Sequence, residues 1–446
     1  MLGSIGDERT GDAPMNRRLR FCGERRDNAR AFEFLNDRLG ETTMSKPLEG
    51  IKVVEIAQEI QGPFASLILA DLGADVVKVE NKETGDLSRW MLAALIGGPD
   101  VTNAAVSHYF IAMNRGKRSI TADLKKPDAI EMVRRMVKSY DVLVTNYRPG
   151  VLDRLGLGYD DVRKINPRIV YAQGSSWGPR GPWVTRPSRD TLAQAASGVM
   201  AKTGMPSDPP LAAGMFVADH SGALSLASGV LAALFARERT GEGQKVDASI
   251  YGTMIAMQGM EINYTSITGV EPERAGRGHQ FLRGVWGAFP TSDGHICIAG
   301  VDEKRWPSFC KIVGIQHLQT DPEYSDNVVR NFHGEKIQKV LDEIFPKKTS
   351  KEWLAELTEA DILATEVVDY RTMLKSEQAR VNGYLLELDH PVAGKVLVSG
   401  TPITINGEVT TIAQAAPEHG QHSEEVLLEL GYSWEEIGAL RDSDAI

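Results

Sequence analysis

The stretch Gly50–Glu80, GIKVVEIAQEIQGPFASLILADLGADVVKVE, decides the fold. Ile51–Ile56 (IKVVEI) is short, β-branched and mostly apolar, the composition of a strand buried on both faces. Pro63 opens a helix over Pro63–Leu72, because its fixed φ suits a first helical turn where its missing N–H is not needed. Ala74–Glu80 (ADVVKVE) reads as a second buried strand. Strand, helix and strand in this order form a βαβ unit, whose two strands must run parallel.

The same alternation continues outward. Pro127–Tyr140 reads as a helix, Asp141–Tyr147 (DVLVTNY) as a strand and Arg168–Gln173 (RIVYAQ) as another. A Gly/Ser/Pro loop follows, and Thr191–Met200 resumes helix. This order implies an α/β fold with a doubly wound parallel sheet, its ligands at the carboxyl ends of the strands. Ser221 to about Tyr264 reads as mostly helical, interrupted by the turn Thr240-Gly241-Glu242-Gly243. Ala288–Val301 reads as a hairpin closed at Ser292-Asp293-Gly294. Helices are expected near Lys304–Val313, Gly334–Phe345 and Ser350–Glu359, with two more, His422–Leu430 and Trp434–Leu440, split by Gly431.

A dinucleotide fold of this kind normally carries G-x-G-x-x-G after its first strand. Here Glu59-Ile60-Gln61-Gly62-Pro63 stands there instead, so nicotinamide chemistry is not expected, although Glu80 imitates a ribose-binding acid. With 446 residues, 42% hydrophobic and 25% charged, the chain is long enough for two or three lobes of a soluble protein. A net charge of -10 argues against nucleic acid or an anionic membrane surface as partner, so an anionic ligand needs a local basic cluster. No uninterrupted apolar run approaches the roughly 18 residues that a bilayer span requires. The three cysteines, Cys22, Cys297 and Cys310, lack metal or disulfide-framework spacing, so no metal is expected and the location is read as cytoplasmic. Residues 1–45 differ in composition and read as a disordered or non-native extension, with Met44 as a plausible start.

The loop Thr203-Gly204-Met205-Pro206-Ser207-Asp208-Pro209-Pro210 holds one carboxylate between prolines. Three fixed φ angles stiffen it and exclude both helix and strand. A carboxylate so placed suits nucleophilic catalysis; it equally suits a solvated turn.

Several segments together resemble the class III coenzyme-A transferase family, which includes formyl-CoA transferase, the carnitine CoA-transferase type and the 2-methylacyl-CoA racemases. They are Pro47–Glu55, Leu69–Glu80, Gly116–Lys125, Val144–Asp161, Leu192–Gly204, Thr240–Gly252 and His422–Ile437. The resemblance implies a Rossmann-like large domain built from both chain ends, here 46–245 and 361–446, around a smaller α+β middle domain at 246–360. It also implies a homodimer with interlocked subunits. The activity implied is transfer of CoA between carboxylic acids, with acyl-CoA as substrate and no permanently bound cofactor.

By that resemblance an aspartate attacks the thioester, forming a mixed anhydride and then an aspartyl-CoA thioester. Asp208 is the candidate, although the family's pattern places the carboxylate where Ser207 stands. In the racemase branch Asp219 becomes an acid or base, but Arg189 occupies the place of the partner histidine and stays protonated. A non-catalytic CoA-binding subunit is a third reading. The resemblance assigns CoA binding to Ile60, Gln61, Lys125, Asn146, Tyr147 and Arg154, with the Ser175–Gly178 turn beside the thioester arm. Lys82 is a possible further cation. Gly278, His279 and Gln280, in the glycine-rich stretch Gly276–Gly284, are candidates for a substrate loop.

Overall fold

The computed structural model describes residues 46–91, 107–324, 326–411 and 414–446, so the expected extension at 1–45 and the start at Met44 lie outside the described residues. The opening βαβ unit is present as β1 (Lys52–Ile56), α1 (Gln61–Asp71) and β2 (Asp75–Asn81). Next come α2 (His108–Asn114), β3 (Arg118–Ala122), α3 (Pro127–Ser139), β4 (Val142–Thr145) and β5 (Val170–Ser175). α4 (Asp190–Ala196) precedes the long α5 (Val217–Thr240) and β6 (Lys245–Ser249). The six strands form one parallel sheet in the order β3-β2-β1-β4-β5-β6.

Period-two alternation builds the two cores. Val53 and Val142 face one side with α1 and α5, through Leu69, Leu226 and Val230. Val54 and Leu143 face the other with α3, through Met132, Val133 and Met136. The last two helices, α11 (Ser423–Glu429) and α12 (Trp434–Asp442), bury Val426, Leu427 and Ile437 in that second core, so the chain's final segment returns to the sheet.

Two strands escape a reading by pattern. β3 was matched only as a family segment, and β6 lies inside a stretch expected to be helical. Lys245-Val246-Asp247-Ala248-Ser249 is a half-exposed edge strand with two charges, so it lacks the apolar run that marks the central strands. The helix expected over Thr191–Met200 breaks at Gly198, which adopts φ 93°. α5 has a mean hydropathy of 1.3 and the length of a membrane span, which counting uninterrupted runs overlooked. Half of its apolar window is buried, and Ala223, Leu226 and Val230 lie against the sheet.

After α5 and β6, α6 (Ile250–Met257) and α7 (Gly259–Thr268) lead to a second, smaller sheet. The expected hairpin pairs β7 (Trp286–Pro290) with β8 (His295–Ala299), and β9 (Ala364–Glu366) adds a third strand. Three helices, α8 (Trp306–Val313), α9 (Gly334–Ile344) and α10 (Ser350–Glu359), complete its core around Phe289, Phe309 and Phe345. β9 therefore extends this unit past the expected boundary at residue 360.

A buried charge cluster underlies the sheet's carboxyl end. Glu55 on β1 is fully buried and accepts from Lys78 Nζ at 2.6 Å and Lys117 Nζ at 2.7 Å, both side chains also fully buried. Removing the central carboxylate takes the ion-pair partner from buried Lys117 and leaves buried Lys78 with Asp86. We expect Glu55→Gln to lower unfolding free energy by about 3–5 kcal/mol in urea titrations; a loss below about 1 kcal/mol would mean that water compensates the pair.

Candidate active site

Strand order reverses between β1 and β4, and a cleft of about 350 Å³ opens above that point. Its floor comes from Gln58–Gln61 after β1, Asn146–Pro149 after β4 and Ser175-Ser176 at the end of β5. Asp219 and Arg189 form part of the wall. Four of the six residues expected to bind CoA therefore meet here: Ile60, Gln61, Asn146 and Tyr147.

Side chains hold the floor rigid. Asn146 accepts the Gln58 N–H at 2.9 Å and donates Nδ2 to the Gln58 carbonyl at 2.7 Å. Gln58 Nε2 donates to the Tyr147 hydroxyl at 3.1 Å, and Gln61 Nε2 donates to the Ala248 carbonyl on β6 at 3.2 Å. Gly174 lets the Gln61 amide pack close, because a Cβ there would sit 2.7 Å from Gln61 Oε1 and would displace that side chain. α1 starts at Gln61 with no side-chain cap, leaving its first N–H groups for a ligand.

A smaller cleft of about 160 Å³ adjoins at Tyr147, which lines both. Asn81 and Lys125, at and after the ends of β2 and β3, line it together with Leu155, which follows a helical turn after β4. Arg154 is exposed and next in sequence to Leu155. Lys82 pairs with Asp444, and Glu80 has no free capacity for a ribose. Glu80 receives two bonds from Arg89 at 2.7 Å, one from the Ser119 hydroxyl at 2.6 Å and one from the Asp86 N–H at 3.0 Å.

Asp208 is not among the residues lining the 350 Å³ cleft. Its carbonyl accepts from Arg274, its N–H closes a turn onto Met205, and its neighbours Met205–Ser207 line a different cleft with Arg274, Arg277 and Arg283. The expected substrate loop is also elsewhere. His279 Nε2 lies 2.9 Å from Glu261 Oε1 on α7, Gly278 packs under the Trp286 carbonyl, and Gln280 Oε1 is buried without a partner.

Besides Glu59, the cleft contains a second carboxylate, Asp219. It lies in the first turn of α5, whose N-terminus is capped from a distance: Asp190 Oδ1 accepts from Ala218 N at 2.7 Å and Asp219 N at 3.0 Å. Burial first, then the carboxylates of Asp190 and Glu59, push Asp219 up to about 7, with Arg189 opposing. Tyr109 on α2 is raised by burial first and then by the Glu59 and Asp219 charges. His220, Asp219's neighbour in sequence, instead has Nδ1 2.8 Å from the Phe216 carbonyl and its ring against Phe64.

Tyr109, Glu59 and Asp190 were not singled out from sequence as site residues. Glu59 carries the one available signal, an acid in a loop where dinucleotide proteins place glycine. The structure gives it φ 63°, a conformation glycine adopts freely. The other two depend on long-range packing, which spacing does not reveal.

Comparison with known proteins identifies the family. Residues 48–423 match the sequence model of CoA-transferase family III. An acyl-CoA transferase of Fusarium pseudograminearum is 34% identical over 403 residues, covering 90% of this chain and 88% of that protein. A succinyl-CoA:glutarate CoA-transferase of Mus musculus is 32% identical over 387 residues, 86% of each chain. Among solved structures, a CaiB/BaiF-family protein of Brucella suis superposes with a TM-score of 0.77 at 30% identity, over 86% of this chain and 100% of that one.

The raised carboxyl gives a stability test. Unfolded, Asp219 ionises near its ordinary value of 3.8; folded, near 7. The folded state therefore holds the extra proton, and the cost of the charge is absent below pH 4, grows between pH 4 and 7 and is complete above. We expect Asp219→Asn to match the parent's Tm near pH 4 and to exceed it at pH 8 by the equivalent of about 1–3 kcal/mol. A constant difference across that range in calorimetric scans would disprove the assignment.

Proposed function

The chain belongs to CoA-transferase family III and is an enzyme of that class, and from this premise we propose that it moves CoA between carboxylic acids through covalent intermediates on Asp219. One observation carries the choice of residue: Asp219 shares its cleft with the Gln61, Asn146 and Tyr147 floor, whereas Asp208 does not line it.

The steps balance without a cofactor. The Asp219 carboxylate attacks the acyl-CoA carbonyl; the C–S bond breaks, leaving an aspartyl mixed anhydride and the CoA thiolate. The thiolate then attacks the aspartyl carbonyl, releasing the first acid and leaving an aspartyl-CoA thioester. The acceptor carboxylate attacks that thioester, forming a second anhydride and freeing the thiolate again. Attack of the thiolate on the acceptor's acyl carbon gives the new CoA ester and restores Asp219. Burial makes the carboxylate more basic than a solvated one, which strengthens it as a nucleophile once ionised.

CoA lies along the two joined clefts in this reading. Tyr147 sits at the junction, Lys125 meets phosphate from the smaller cleft, and Arg154 follows on the exposed rim. Gln61 and the uncapped start of α1 face the thioester end, where N–H groups stabilise developing negative charge. The racemase reading lacks the histidine its chemistry pairs with Asp219, since Arg189 stands in that place and stays protonated.

A second copy of the chain is proposed as partner. α5, α6 and α7 present Leu224, Phe235, Met257, Met260 and Ile267 to solvent, with exposures of 52 to 83%, a set of apolar side chains that an interlocked homodimer would cover.

The decisive experiment is trapping. Incubation with a panel of acyl-CoAs followed by hydroxylamine, with peptide mass spectrometry, should modify Asp219, and Asp219→Ala should lose at least about 10³-fold in turnover. Labelling of Asp208 with Asp219 untouched would return the assignment to the proline-rich loop.

A further inference from the structure

We propose that Arg189 selects the acceptor: its guanidinium takes the remote carboxylate of a dicarboxylic acid, and Glu59 holds that place while the cleft is empty. The proposal rests on the transferase reading and adds to it the class of acid.

Arg189 lines the same cleft as Asp219, and its side chain is 73% exposed. Arg189 immediately precedes Asp190, whose carboxylate accepts the Ala218 and Asp219 N–H groups, so the chain at Arg189 is tied to the start of α5 that carries Asp219. Two further arginines line this cleft: Arg148, on the floor after β4, and Arg186, which lies over the Trp177 and Trp183 rings at 5.2 and 5.1 Å; Lys125 belongs to the adjoining cleft.

A carboxylate already occupies the proposed position. Glu59 Oε2 accepts from Arg189 Nη1 at 2.9 Å. Glu59 adopts φ 63°, which a non-glycine residue takes at a cost, and its N–H is tied to Asp86 Oδ1 at 3.2 Å. The loop thus fixes one carboxylate on an exposed arginine beside the candidate nucleophile. An exposed ion pair of this kind contributes little, so an incoming carboxylate can replace it with small loss. A guanidinium accepts such a group bidentately, through the planar fork that a lysine lacks. An acid with a single carboxylate, engaged at Asp219, would turn its apolar end toward Arg189 and gain nothing. A second carboxylate makes that arginine an anchor.

Succinate and butyrate, of equal carbon number, separate the two cases. Calorimetric titration of each acid into the full-length protein reads binding without turnover. Parent protein should prefer succinate, and Arg189→Ala should weaken succinate by about 10- to 100-fold relative to butyrate. Arg189→Lys should recover part of the preference, and Glu59→Gln should tighten succinate several-fold by removing the internal competitor. The ratio of kcat/KM for the two acceptors should follow the same order. No preference in the parent, an unchanged ratio in Arg189→Ala, or weaker succinate binding in Glu59→Gln would each overturn the proposal. Failure to trap an intermediate on Asp219 would count against the transferase mechanism, and the binding ratio would still decide the role of Arg189.

Discussion

Glu55 is the constraint from which the site's geometry follows. A carboxylate near the carboxyl end of β1, with no exposure to water, must be neutralised by groups that are themselves buried. Lys78 on β2 supplies one charge and also reaches the Ala57 carbonyl at 2.9 Å and Asp86 at 2.7 Å. Lys117, just before β3, supplies the other and reaches the Pro63 carbonyl at 2.8 Å and Asn114 at 3.0 Å. Ala57 and Pro63 bracket the loop that forms the cleft floor. Asp86, held low despite its burial by the Lys78 charge, in turn accepts the Glu59 N–H. The cluster therefore clamps both ends of the loop and one amide within it. Its net contribution to stability can be small, because desolvation offsets the ion-pair energy. Its consequence is positional: the loop is tied down with Glu59 in the left-handed region.

This clamp also explains how a strand order shared with dinucleotide-binding folds serves another ligand. In such a fold, glycines after β1 would let a pyrophosphate approach the helix start, and an acid after β2 would take the ribose. Here the acid, Glu80, is consumed by Arg89, Ser119 and Asp86. The loop carries Glu59, Ile60 and Gln61 in place of glycines, and Asn146 locks it from β4. The topology keeps the switch point and the uncapped helix start, while the side chains change what can bind there.

The central strands were legible because they are buried on both faces and so read as apolar runs. Ile51–Ile56 differs from the observed β1 by one residue at its start, and Ala74–Glu80 from β2 by one residue at each end. β6 was not legible, because an edge strand with lysine and aspartate has the composition of a loop. The site divides in the same way. Gln61, Asn146 and Tyr147 follow directly on strands that sequence locates, so their convergence could be expected. Arg189, Asp190 and Asp219 converge only through the packing of α4 against α5, a relation across about thirty residues that no local pattern encodes.

Asp208 and Asp219 show why rigidity alone does not identify a nucleophile. The prolines around Asp208 fix its backbone but leave its carboxylate outside the main cleft, where it has only Ser207 Oγ at 3.4 Å. Asp219 has no stiffening residues of its own. Its position comes from Asp190, whose one oxygen binds two N–H groups at the start of α5. The same Asp190 charge, close by and poorly screened, helps to raise Asp219 toward 7 after burial has begun the shift. One residue thus anchors the helix that carries the candidate nucleophile and makes that nucleophile costly to ionise. A carboxylate made basic by burial and by a fixed neighbouring charge is better suited to attack a thioester than one held by prolines in a water-exposed turn.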